Sequence, residues 1–201
     1  MHPIGRFWRT PKNNLGGKSG RKSEGLEMYL ISAYFDDVTN KKIQRLIHQV
    51  AARTNNTFMT DSHVPPHMTI SSIEARSAEV LLPPIRALEG TLARGSVQFV
   101  SAGQLLPYVL YITPVLNAYL QSLSKQIYAA VSGIEQTSVS KYYKPLSWLP
   151  HVTIAKTLSR EQMREAFAVV QDSFGVFEGQ IAEIGVARTN PHEDILRFPL
   201  T

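Results

Sequence analysis

The chain has 201 residues, 43% of them hydrophobic and 18% charged, enough to bury one sizeable core or two small fused lobes. It holds no cysteine, which removes disulfide frameworks, thiolate metal sites and cysteine nucleophiles together. Its net charge of +5 is local: six of the 21 basic residues and one of the 16 acidic ones fall in residues 1–25, leaving fifteen of each sign in the body. A neutral body does not grip long duplex nucleic acid by bulk electrostatics, so its partner should be small or held at a local site.

Residues 1–27 read as a flexible basic extension. Gly5, Gly16, Gly17, Gly20 and Gly25, with Pro3 and Pro11, interrupt any apolar stripe of either period. Phe7-Trp8 is too short for the apolar core of an export signal. No stretch supplies the roughly 18 apolar residues of a membrane span, and the expected setting is cytoplasmic. Gly17-Lys18-Ser19 ends like a phosphate-binding P-loop, but the glycine required five positions before Gly17 is Lys12.

Residues 28–201 form the ordered body. Met28 to Phe35 is a β-rich run closed by Asp36-Asp37 and reads as a buried strand. Ile43, Leu46, Ile47 and Val50 fall at helical spacing and predict a helix over about 40–54, capped by Asp37 or Thr39. Pro65-Pro66 then forces an extended entry into the strand His67-Met68-Thr69-Ile70. A second helix is expected between about 77 and 90, started late or interrupted by Pro83-Pro84. Val97 to Val100 and Val109 to Thr113 read as a strand pair joined across Gly103 to Pro107.

Leu116, Leu120, Leu123, Ile127 and Val131 recur at intervals of three and four and mark the clearest helix. A polar, aromatic stretch, Ser138 to Trp148, leads through Leu149-Pro150 into the strand His151-Val152-Thr153-Ile154. Ser159 with Gln162 is a capping box opening a helix to about residue 173. Alternation from Phe174 to Val186 predicts a strand, and Ile195 to Phe198 an edge strand. In each half, a helix, a proline and His-x-Thr on a strand follow in that order, the pattern of a duplicated lobe in an α+β fold.

The repeated phrases are Pro66-His67-Met68-Thr69-Ile70 and Pro150-His151-Val152-Thr153-Ile154. Side chains alternate across a strand, so His and Thr at i and i+2 share one face while the apolar residues anchor the other. A single His-x-Thr is usually a sheet-face polar pair or a core histidine. Two copies with the same preceding Pro and following Ile, in a chain of only six histidines, point to function. Brought together, the two strands offer two imidazoles, one to take a proton while the other gives one, and two hydroxyls to donate to a charged oxygen. That set fits phosphodiester cleavage: one water to activate, one ribose oxygen to protonate and one non-bridging charge to hold.

On these two phrases and their spacing, residues 28–201 resemble the two-histidine (2H) phosphoesterase superfamily, the group of RNA 2′,3′-cyclic phosphodiesterases and 2′-5′ RNA ligases. The resemblance implies an α+β fold of two pseudo-symmetric lobes, each an antiparallel sheet with helices on its outer face, around a central cleft. It implies His67 and His151 as catalytic residues, Thr69 and Thr153 as the phosphate-binding pair, and no required metal or other cofactor. The residues leave open which histidine is the acid; the resemblance suggests that His151 activates water and His67 protonates the leaving oxygen.

Tyr142, Tyr143 and Trp148, interleaved with Lys141 and Lys144, are candidate base or ribose contacts, because aromatics with lysines can stack a base and meet phosphate. The expected partner is a nucleotide or RNA end, with no membrane; the sequence leaves the oligomeric state open, with a monomer as the expectation. His63 and His67 are four apart, but Pro65-Pro66 denies them the helix a metal pair would need. His48 reads as a surface residue and Tyr108 and Tyr111 at most as cleft wall; Lys156 faces away from His151 on a regular strand. His192, in a turn after Asn190-Pro191, receives no role. Two other readings compete: a nucleotide- or RNA-end-binding module with little catalysis, and a 2′-5′ RNA ligase running the same proton transfers in reverse.

Overall fold

The computed structural model describes residues 25–189 and 191–201. The basic extension expected over residues 1–27 lies outside the described residues as far as position 24, and the Gly17-Lys18-Ser19 stretch with it.

Strand β1 (Glu27–Phe35) pairs on one side with β2 (His67–Ala75) and on the other with the long β7 (Phe177–Arg188), and β8 (Glu193–Pro199) completes this lobe as an edge strand on β7. The second lobe joins β3 (Gly95–Leu105), β4 (Val109–Pro114) and β6 (Val152–Ala155), with the short β5 (Ser138–Val139) reaching back to β2. Every one of these pairings is antiparallel. Besides the β5–β2 pairing, the lobes meet twice. The first residues of β7 pair with β3 while the rest pair with β1, so one strand spans both lobes. At the other end the Met68↔Val152 pairing joins β2 to β6. The β1–β7 pairing thereby closes the circuit β1-β2-β6-β4-β3-β7.

Helix α1 (Asp37–Thr54) packs along α5 (Arg160–Ser173) and against β6 and β7, while α4 (Ala118–Val131) packs on β2 and β3. Asp36, rather than Asp37 or Thr39, is the cap: it accepts the Thr39 amide at 2.9 Å and starts α1. Thr39 instead uses its hydroxyl to accept the Gln180 amide of β7 at 2.9 Å. Ile43, Leu46, Ile47 and Val50 are all buried, each worth roughly 1.5–3 kcal/mol relative to exposure. Ser159 and Gln162 form the expected reciprocal box at the start of α5.

Two elements depart from expectation. The helix predicted between 77 and 90 is a 3₁₀ turn at Ala78–Val80 and a five-residue α3 (Leu82–Arg86). Pro83 and Pro84 sit in its first turn, where a missing N–H costs nothing, and the helix is over within another turn. Strand β3 runs on to Leu105, through the region read as its connection to β4, because Gly103 pairs with Tyr111. A four-residue α2 (Phe58–Asp61) was not foreseen. Among the described residues no helix is long and apolar enough to cross a membrane.

Candidate active site

The Pro65-Pro66 pair delivers the chain extended into β2, whose first residue is His67. Met68, Ile70, Val152 and Ile154 are fully buried and fix both motif strands in the core. The antiparallel Met68↔Val152 pairing sets the His67–Thr69 segment beside the His151–Thr153 segment. Strand alternation puts His and Thr of each phrase on the face opposite its Met68 or Val152. The two sequence-predicted phrases are thus brought together on neighbouring strands.

Each imidazole is locked in the same way. His67 Nδ1 lies 2.9 Å from the Pro65 carbonyl, and His151 Nδ1 lies 2.9 Å from the Leu149 carbonyl. A carbonyl only accepts, so Nδ1 carries the proton in both rings and Nε2 is left with the lone pair. Burial pushes both histidines below the ordinary imidazole value, opposed by those same carbonyls. For His67, positive charge on His192 or on His151 lowers it further, and Asp194 raises it.

The threonines are tied into the frame beneath. Thr69 Oγ1 lies 3.5 Å from Ser32 Oγ on β1, and its carbonyl accepts the Trp148 indole N–H at 2.9 Å. Across the site, Thr113 on β4 donates to the Pro150 carbonyl at 2.7 Å, holding the residue just before His151. Trp148 is only 5% exposed, which corrects the expectation that it contacts a base: a buried indole needs an acceptor for its N–H, and here it buttresses the Thr69 backbone. Tyr143 also packs against the core, and burial pushes its phenol to about 12. Tyr142 is half-buried, with Lys141 Nζ 5.2 Å over its ring.

Two tyrosines wall the histidines in matching fashion. Tyr34, paired in register with His67, sets its ring 6.0 Å from that imidazole and lies over Gly185 of the adjacent β7. Tyr111, paired with Thr153, approaches His151 edge-on at 5.3 Å and lies over Gly103 of the adjacent β3. In each case the neighbouring strand has a glycine where a Cβ would strike the ring. Sequence reasoning missed Tyr34, and treated Tyr111 only as possible wall, because cross-strand neighbours leave no local signature.

The other missed residue is His192. Its ring lies 6.2 Å from that of His67, 26° from parallel, and its Nε2 is 3.2 Å from Asp194 Oδ1. The only signal in the sequence was a histidine two residues before an aspartate at the head of an edge strand. His63 is exposed and bonded through Nδ1 to the Asp61 carbonyl, His48 is exposed on α1, and Tyr108 is exposed in the β3–β4 turn. Lys156, past the end of β6, places its Nζ 5.4 Å over the Phe58 ring, and burial lowers its pKa. Among the described residues no group of three or more His, Asp or Glu is arranged to hold a metal ion.

A family model described as the 2′-5′ RNA ligase superfamily matches residues 35–193, a span containing both motifs. No curated protein sequence matches the chain. Among solved structures, that of E. coli LigT complexed with 3′-AMP aligns with a TM-score of 0.57 at 14% identity, covering 88% of this chain and 99% of LigT. TT0787 of Thermus thermophilus aligns at 0.56 and 16% identity, covering 86% and 97%. A protein described as a phosphoesterase aligns at 0.56 and 13% identity, covering 87% and 99%. LigT has also been crystallised with ATP and with NADP+. At such identities the likeness is one of fold, and the bilobal α+β architecture is common to them all.

Proposed function

The chain belongs to the 2′-5′ RNA ligase superfamily of two-histidine phosphoesterases, and on that premise we propose that it is a metal-independent phosphodiesterase opening 2′,3′-cyclic phosphates or 2′-5′ linkages of nucleotides or RNA ends. His67 and His151 form its acid–base pair. One Nε2 takes a proton from the attacking water as the new P–O bond forms. The other, protonated, gives its proton to the ribose oxygen as the old P–O bond breaks. Thr69 and Thr153 donate to the non-bridging oxygens, and Tyr142 and Tyr143 offer ring surface to the base or ribose.

One observation carries this reading: both histidines, in separate lobes, hold Nδ1 at 2.9 Å from a carbonyl two residues back. His63 makes the same bond to the Asp61 carbonyl, but His67 and His151 make it at the head of strands joined by the Met68↔Val152 pairing, where each can present Nε2 to one phosphorus. General acids and bases typically contribute 10²–10⁴-fold each, and fixing the phosphate between them supplies much of the rest. A nucleotide-sized substrate suits a body without net charge, and fits the nucleotides with which LigT has been crystallised.

The test is a product assay on nucleoside 2′,3′-cyclic phosphates, ADP-ribose 1″,2″-cyclic phosphate, a 2′-5′ dinucleotide and a cyclic-phosphate-ended RNA, with and without chelator. Turnover of at least one, undiminished by chelation, is expected. Saturable binding of these compounds with no hydrolysis would replace the enzyme by a binding module, and joining of RNA ends would reverse the direction.

A further inference from the structure

We propose that His192, held by Asp194, is a positioning residue for His67, completing its wall with a third imidazole. The proposal rests on the reading of His67 as half of the acid–base pair. His192 comes from the turn between β7 and β8, outside both motif phrases, yet its ring lies alongside that of His67. Asp194 Oδ1 accepts from the Tyr34 hydroxyl at 3.1 Å and lies 3.2 Å from His192 Nε2. One carboxylate thus orients two of the rings that border His67. Arg197 steadies the pair from outside: its guanidinium sits 3.7 Å over the Tyr34 ring and pairs with Glu183 at 2.7 Å and Asp194 at 3.8 Å.

The titratable and charged groups facing His67 are Tyr34 from β1, His151 from the second motif, and His192 and Asp194 from the β7–β8 turn and β8. Arg197 and Glu183 act through Tyr34 and Asp194. A proton on His192 opposes one on His67, and the Asp194 carboxylate favours it. A charge on His192 is thus felt at His67 across 6.2 Å between ring centroids. A purely structural His192 would contribute packing and leave that coupling absent.

The experiment compares the full chain with His192→Phe, which keeps a planar ring and loses the charge, and His192→Ala, which loses both. The His67 Cε1 proton is followed by NMR across pH. In His192→Phe the midpoint of the His67 curve should be displaced to higher pH than in the wild type. On the cyclic substrate His192→Ala should lose about tenfold in kcat with KM within about twofold, and His192→Phe should restore plateau turnover to within about threefold. Superimposable His67 curves in wild type and His192→Phe, or wild-type kcat in His192→Ala, would overturn the proposal. The titration needs no turnover, so a chain inactive on every substrate but showing the displaced curve would overturn the phosphodiesterase reading while upholding the His67–His192 coupling.

Discussion

The two motif regions share their innermost geometry and differ in what surrounds it. In both, a proline-led strand presents His-x-Thr, Nδ1 binds a carbonyl two residues back, and a tyrosine lies over a glycine of the next strand. Around His67 the wall continues into a charged network of His192, Asp194, Tyr34, Arg197 and Glu183. Around His151 the frame is Tyr111, with Thr113 bonded to the Pro150 carbonyl, and the ring is 8% exposed. What is repeated is what the proposed proton transfer between two imidazoles would demand.

The sharpest way to break this comparison is to remove the repeated element. His67→Ala and His151→Ala should each lower turnover at least about a hundredfold, with the double variant barely worse than either, because the pair acts as a unit. Steady-state kinetics on a nucleoside 2′,3′-cyclic phosphate measures this, and strict additivity would mean two independent sites. Trp148→Phe probes the support beneath one half only. It leaves the buried Thr69 carbonyl without its donor and should cost about 1–3 kcal/mol in a denaturant melt. A stability unchanged from wild type would show that the indole bond is incidental.

The glycines sharpen the contrast further. A Cβ at Gly185 would come within 2.8 Å of Arg197 Cγ and 2.9 Å of the Leu196 carbonyl and of Tyr34. Backbone cannot swing aside, so Gly185→Ala should destabilise the fold by about 1–3 kcal/mol. At Gly103 the nearest atoms a Cβ would meet belong to the Tyr111 side chain rather than to backbone, so Gly103→Ala should displace that ring at smaller cost and show mainly in kinetics. Equal losses of stability at the two positions would contradict the distinction.

The smallest effect is on pH. Both imidazoles titrate below the ordinary value of about 6.5 when folded, so the unfolded chain binds more protons as the solution is acidified. Their contribution to stability is complete above that value and is lost as pH falls through it toward the depressed values. Melting temperatures of the wild type should therefore fall on acidification below about pH 6.5. A His67→Gln, His151→Gln double variant should fall less steeply.

The sequence carried whatever is local. Ser159 with Gln162 marked the start of α5 because the box closes within four residues. The two His-x-Thr phrases announced their shared face because strand alternation is a local property. The Pro83-Pro84 helix was overestimated because apolar spacing does not say how soon a chain leaves a helix after its first turn. Tyr34, Tyr111, His192 and Asp194 were not legible as a wall. Their proximity to the histidines comes from pairings between distant strands, above all the way β7 spans both lobes and hands the chain to β8. Trp148 was misread because its sequence neighbours are exposed loop residues, while its own ring fills the core and its N–H reaches Thr69.

The most direct test is the pH dependence of kcat/KM on a cyclic phosphate, measured in chelator for the wild type and for each single histidine variant. Two imidazoles working on one phosphorus require a bell in the wild type and the loss of a different limb in His67→Ala and in His151→Ala. A bell retained with wild-type turnover in either variant would mean that the rate does not depend on that ring, and the paired site would not be the catalyst.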